Sequence, residues 1–320
     1  MNIDRNILRV CTTAILCAIF LRLLGNVSFG TSLGPEDVAS MALFLQTGRV
    51  VRQAEIPETV PPTEPTLPEP TVPEIQPLVF SPEDAQAVEI YDYANKSPDL
   101  GALLTEPLSW DLTQEQPTVL ILHTHASESY ENTENYTESS QYRTLEEEYN
   151  MISIGDAVAK ALTQQGITVL HDTTIHDYPS YNGSYDNSRQ TVSQYLSAYP
   201  SIRLVLDLHR DAMVDASGQQ IGYTVSTEKG ESAKVMFVLG CNNDAWKSNM
   251  ALAVKLQARL EDMCPGICRP ICLRNAKFNQ DQSPGALLIE MGAAGNTRQE
   301  ALLAAEYVAQ AITDLAKGTA

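Results

Sequence analysis

The sequence predicts an α/β fold: a largely parallel, twisted sheet with helices on both faces. Three observations lead there. Segments such as "TVLILHT", "IRLVLDLH" and "GALLIEMG" are apolar at nearly every position instead of alternating, the pattern of strands buried on both faces. Between them lie amphipathic stretches of helical length, and such strand–helix alternation belongs to parallel sheets. The 320 residues are 43% hydrophobic, ample for a large core.

The elements follow in chain order. "ILRVCTTAILCAIFLRLLG" is apolar from Ile7 to Leu24 apart from Arg9 and Arg22. Its uninterrupted part, Val10 to Leu21, falls short of the roughly 20 residues of a spanning helix. Arginines at its ends can reach the headgroups, so the full stretch is expected to be an uncleaved single-pass membrane anchor. A cleaved signal peptide is the alternative, although no clean small-x-small site follows Leu24. Either puts the remaining chain outside the cytoplasm. Residues 33–55 read as a short amphipathic helix started by Pro35. Residues 56–82 hold half of the 18 prolines, interleaved with Glu, Thr and Val. Such a segment is a stiff polyproline-type spacer that at about 3.1 Å per residue reaches on the order of 80 Å. The expected organisation is therefore an anchor or signal segment at 1–30, a short helix and Pro/Glu-rich linker at 31–83, and a catalytic α/β domain at 84–320.

Within that domain "AVEIYDY" reads as a strand and "DLGALLTEPL" as a short helix. Then follow strand "TVLILHT", helix "MISIGDAVAKALTQQG" with its glycine stop, strand "ITVLH", helix "SRQTVSQYLSAYP" and strand "IRLVLDLH". Strand "AKVMFVLG", helix "DAWKSNMALAVKLQARLEDM", strand "GALLIEMG" and the closing helix "TRQEALLAAEYVAQAITDLAK" complete the series. No Gly-x-Gly-x-x-Gly or Walker loop follows the first strand, so there is no phosphate cradle. A net charge of −19 excludes a nucleic-acid coat, which needs a basic patch. Of the six cysteines, Cys11 and Cys17 lie in the apolar segment as small hydrophobes. The run "CPGICRPIC" lacks the C-x-x-C pairs of a structural zinc site. Cys241, Cys264, Cys268 and Cys272 form either one or two disulfides or free thiols.

The polar residues at the strand ends carry the chemistry. His123 and His125 end the first strand of the regular series, His209 and Asp211 end "IRLVLDLHRDA", and Glu290 ends "GALLIE". Ligands of open α/β sheets bind outside the carboxyl ends of strands, so three strands bring His, His and Glu to one edge. A hydrolytic zinc site needs three ligands, an open water position and a nearby base. The chain offers His123 or His125, Glu128, His209, and Glu290 as the base. His-x-His on a strand puts both rings on one face, so either or both can ligate. Plainer roles are open to each: ordinary hydrogen-bonded histidines, a helix-capping Glu128, His209 paired with Asp207 or Asp211, and Glu290 paired with Arg210 or Arg274. His171 and His176 read as loop residues shaping a cleft.

Four segments, "LILHTHASESY", "NMISIGDAVAKALTQQGITVLHD", "LVLDLHRDA" and "LLIEMGAAGNTRQE", resemble the stage II sporulation protein P family, in order, over residues 85–318. The resemblance implies a zinc amidase-like fold with Zn2+ as cofactor. It implies a peptidoglycan hydrolase of the N-acetylmuramoyl-L-alanine amidase class, acting also as an endopeptidase on cross-linked peptides. It further implies action from the cell membrane on the septal wall during engulfment, with sporulation proteins D and M as partners. Carried over by position, His125 takes the first ligand's place better than His123, His209 is the third ligand, and Glu290 is the catalytic glutamate. The wider amidase pattern favours Glu147 or Glu148 as second ligand, whereas "SESY" favours Glu128, which is the expectation. Arg210 is expected to help stabilise the oxyanion. A different wall-directed zinc hydrolase, such as a deacetylase, and a non-catalytic wall-binding scaffold are the alternatives.

Overall fold

The computed structural model describes residues 52–53, 78–108, 111–131 and 142–318. The expected anchor and short helix, and nearly all of the proline-rich spacer, lie outside the described residues. Among the described residues no helix is long and apolar enough to cross a membrane.

The strands are β1 (Arg52–Gln53), β2 (Ile90–Asp92), β3 (Val119–Leu122), β4 (Val169–His171), β5 (Leu204–Asp211), β6 (Thr224–Thr227), β7 (Gly230–Ala233), β8 (Val235–Gly240), β9 (Ile271–Arg274) and β10 (Ala286–Ala293). The helices are α1 (Leu100–Thr105), α2 (Met151–Gln164), α3 (Ser184–Ala198), α4 (Trp246–Met263) and α5 (Arg298–Gly318). Eight strands form one sheet in the order β1-β4-β3-β5-β10-β8-β9-β2. β4, β3, β5 and β10 are mutually parallel, as are β8, β9 and β2. β10 and β8 meet antiparallel, so the strand read from "AKVMFVLG" reverses direction and its carboxyl end lies away from those of β5 and β10. The hairpin β6–β7 and strand β9 had no clear signal, being short, half-exposed or embedded in the cysteine run.

The two sheet faces are unlike. Val119, Ile121, Val169, Leu206, Leu208, Phe237, Ile271 and Ile289 share one large core with residues of α1, α2, α4 and α5. The helices are thus segregated, four to one face, with α3 on the other. There Ser188 of α3 bonds Thr124 at 2.7 Å, and Thr124 in turn bonds Asp207 of β5. Beyond α3, the second face carries a small separate cluster, Met236, Val238, Cys272 and Leu288, packed by Phe278. The four described cysteines are free thiols. The sheet lies between Cys272 and the core that holds Cys241 and Cys264. The Cys268 thiol engages Glu261, and burial pushes it well up.

Candidate active site

β5 and β10 are in register, pairing Leu288 with Asp207 and Glu290 with His209. Side chains two apart on a strand share a face, so Asp207, His209, Leu288 and Glu290 all project on the α3 side. Gly292, at φ +86°, lets β10 shift register just beyond Glu290. A Cβ there would lie 2.9 Å from Ala233.

β3 stops at Leu122 and the chain turns over residues 124–127. This separates the two histidines that a longer strand would have aligned. His123 keeps the strand's alternation and points to the α2 side. Its Nε2 meets His171 Nε2 at 2.9 Å, and its Nδ1 donates to the Leu208 carbonyl at 3.0 Å. His171 Nδ1 meets Asp156 at 2.9 Å. Burial, with His171 alongside, lowers His123 to about 3. The expectation of both rings on one face is therefore corrected: His123 is a buried partner of His171 beneath Gly155. His176 is likewise bonded within the fold, to the His123 carbonyl and to Thr191.

His125, beyond the turn, reaches the other side. Its ring lies edge-on to His209 at 5.1 Å and to Tyr185 at 5.5 Å, and stacks on Tyr181 at 4.5 Å. Burial and the neighbouring His209 lower it to about 4. Glu128 is buried with its Oε2 3.6 Å from His209 Nδ1. Burial favours the neutral carboxyl, but Arg210 and His209 outweigh it and hold Glu128 down at about 2. Arg210 spends its donors on this loop: Nε on the Ser129 carbonyl at 2.9 Å, Nη2 on the Tyr142 carbonyl at 2.6 Å, and its backbone N–H on Glu128 Oε2 at 3.2 Å. Arg143 approaches Glu128 at 3.3 Å and Asp177 at 2.6 Å. Glu147 and Glu148 are exposed; the acid brought beside the histidines is Glu128.

His209 Nε2 lies 2.9 Å from Asp207 Oδ1, off the line of a hydrogen bond, so that nitrogen has no aligned partner. Burial disfavours the imidazolium, but Asp207 and Glu128 reverse this and raise His209 well above its usual range. Glu290 is half-buried with Oε2 enclosed and unpartnered. Burial raises it to about 8 against the pull of His209. The pairing of His209 with Asp207, open in the sequence alongside Asp211, is the one the structure shows. Two residues escaped the sequence reading. Tyr185, beside both histidines and half-buried, is pushed up by burial and nearby carboxylates and stays a neutral donor. Arg143 carried no local signal.

Among the described residues no group of three or more His, Cys, Asp or Glu is gathered closely enough to hold a metal ion. The donor set nonetheless suits one. His125 Nδ1 and Glu290 Oε2 are buried without partners, a cost of about 1–3 kcal/mol each that a cation and its water would relieve. Two imidazoles and an ionised carboxylate are the ligands a divalent ion takes in hydrolytic sites.

A family model described as Stage II sporulation protein P matches residues 65–313. The Stage II sporulation protein P of Bacillus subtilis (strain 168) is 29% identical over 216 residues, covering 63% of this chain and 52% of that protein. The chain thus spans about half the length of the curated relative it matches. Among solved structures, N-acetylmuramoyl-L-alanine amidase from Clostridium difficile 630 aligns at 16% identity and a TM-score of 0.36, over 62% of this chain and 94% of that one. N-acetylmuramoyl-L-alanine amidase AmiC2 of Nostoc punctiforme aligns at 9% and 0.37, over 62% and 94%. The apo N-acetylmuramyl-L-alanine amidase Ami1 from Mycobacterium abscessus aligns at 15% and 0.36, over 63% and 96%. Likenesses at that level say nothing of activity.

Proposed function

The chain belongs to the stage II sporulation protein P family, and we propose that it is a zinc-dependent peptidoglycan hydrolase cleaving the amide between N-acetylmuramic acid and L-alanine. The observation that carries this reading is the cluster of side chains on the α3 side, where Glu290 and His209 are paired across adjacent strands and His125 and Glu128 close in on His209 from the turn. His125, Glu128 and His209 would hold the zinc. The chemistry zinc supplies when bound is Lewis-acid polarisation and a lowered pKa of water.

The remaining work falls to the chain. Glu290 Oε2 accepts a proton from the attacking water and returns it to the departing amine nitrogen. Its raised pKa suits the second half of that cycle, and a cation beside it favours the ionised form needed for the first. Arg210, committed to Glu128 and two backbone carbonyls, acts in this reading by positioning Glu128 and not by facing the oxyanion. Tyr185 supplies a neutral donor above the histidines. Asp207, pinned by the Thr124 N–H at 2.7 Å and hydroxyl at 2.6 Å, orients His209. Stem-peptide cross-links are a second bond of the same chemical class. The same proposal extends to action at the septal wall during engulfment, tethering by an N-terminal membrane anchor, and sporulation proteins D and M as partners.

The test is Glu290→Gln. Its turnover of purified peptidoglycan is expected to fall by roughly 10²–10⁴-fold, with zinc content retained. Wild-type digests should gain free L-alanine amino groups by mass spectrometry. Acetate release without new amines would identify a deacetylase, and binding without any product a scaffold.

A further inference from the structure

The sheet face that carries the site does not end there. Cross-strand pairing runs in one row from β5 to the sheet edge: Asp207–Leu288, Leu288–Val238, Val238–Cys272 and Cys272–Tyr91. Directly paired residues share a face, so Tyr91 on edge strand β2 projects on the same side as Asp207 and Glu290. It stands three strand steps, about 14 Å, from Leu288. Among the described residues the row between them is packed by Phe278 alone of the partly buried hydrophobics. At its far end the surface changes character. Tyr91 is 50% exposed and Tyr93 62% exposed, their ring centroids 6.2 Å apart. The guanidinium of exposed Arg274 lies 5.5 Å from the Tyr93 ring centre.

We propose that Tyr91, Tyr93 and Arg274 form a remote subsite for the polymer substrate. The two rings carry the sugar faces of the glycan strand, and Arg274 takes a stem-peptide carboxylate. The inference rests on the peptidoglycan reading above. Two features select this occupant. Adjacent exposed aromatic faces beside a cation match a sugar chain that bears carboxylates. The ledge also lies on the sheet face that carries Glu290, with Tyr93 and Arg274 displaced toward the Ala286 end of β10, and on a chain of net charge −19 a local guanidinium is where an anionic polymer can approach. A docked strand from another protein is the weaker fit, because β2 is only three residues long and short edges resist strand addition. Substrate that occupies both places at once must be polymeric, so the subsite separates wall from soluble fragments.

The experiment compares zinc-loaded full-length protein with the Tyr91→Ala/Tyr93→Ala double variant and, separately, Arg274→Glu. Hydrolysis is followed on insoluble peptidoglycan and on a soluble N-acetylmuramoyl peptide, and co-sedimentation with peptidoglycan is measured in a Glu290→Gln background. The variants should bind sacculi about tenfold more weakly and show a raised KM on the polymer. Both kcat and KM on the fragment should stay unchanged. Unchanged co-sedimentation, equal losses on both substrates, or a wild-type dimer dissociated by the tyrosine changes would overturn the proposal. Should the wild type hydrolyse nothing while the variants still lose co-sedimentation, the hydrolase reading falls and the subsite stands.

Discussion

Glu128 and Arg210 are held by one another and by a short loop, and this decides how each can act. Arg210 is buried with its guanidinium turned to the Ser129 and Tyr142 carbonyls, so the arginine next to His209 in sequence serves the carboxylate on a different segment. Asp207 was legible through period two, and Arg143 was not, because its partners Glu128 and Asp177 come from distant turns. The histidines yield a direct prediction. His125→Ala and His209→Ala are each expected to lose bound zinc by more than the ~10–100-fold typical of an outer-shell change. His123→Asn is expected to keep stoichiometric zinc. Metal analysis of the three purified proteins checks this, and zinc loss in His123→Asn alone would reverse the assignment.

At the scale of elements, the boundary of β3 matters more than its composition. Ending at Leu122, it leaves His123 on the α2 side and frees His125 to cross. The α2 side is closed by Gly155, where a Cβ would come within 2.4 Å of His171 and 2.6 Å of His123. Gly155→Ala should therefore destabilise by about 1–3 kcal/mol in chemical denaturation, with the proposed zinc ligands intact. Helix α4 carries a second buried charge. Lys255 Nζ donates to the Leu103 carbonyl at 3.2 Å and to that of Leu104, at the end of α1, where a cation suits the last carbonyls. Burial lowers it from 10.5 to about 8. Between those values this lysine binds more protons in the unfolded chain than in the native one, so its contribution to stability rises with pH across that window. Relative to Lys255→Met, wild type should gain stability from pH 8 to 10.5, read as the difference between their denaturation midpoints.

For the whole molecule, the proposed zinc chemistry would link metal binding to folding, because the residues proposed as ligands come from the β3 turn and from β5 and converge only in the native state. At 100 times its Kd, zinc should add about 2.7 kcal/mol, so chelation is expected to lower Tm by about 5–10 °C; calorimetry with and without chelator reads it. The sequence by itself determined the α/β class, the strands that build the site, and Glu290 and His209 as its members. These rest on local apolar periodicity and on polar residues at strand ends, which need no knowledge of partners. The tertiary structure alone decided that β8 reverses, that four helices crowd one face, and that His123 and His125 part company. Strand direction and the exit of a turn are set by pairing and packing between residues far apart in the chain, and no local pattern encodes them.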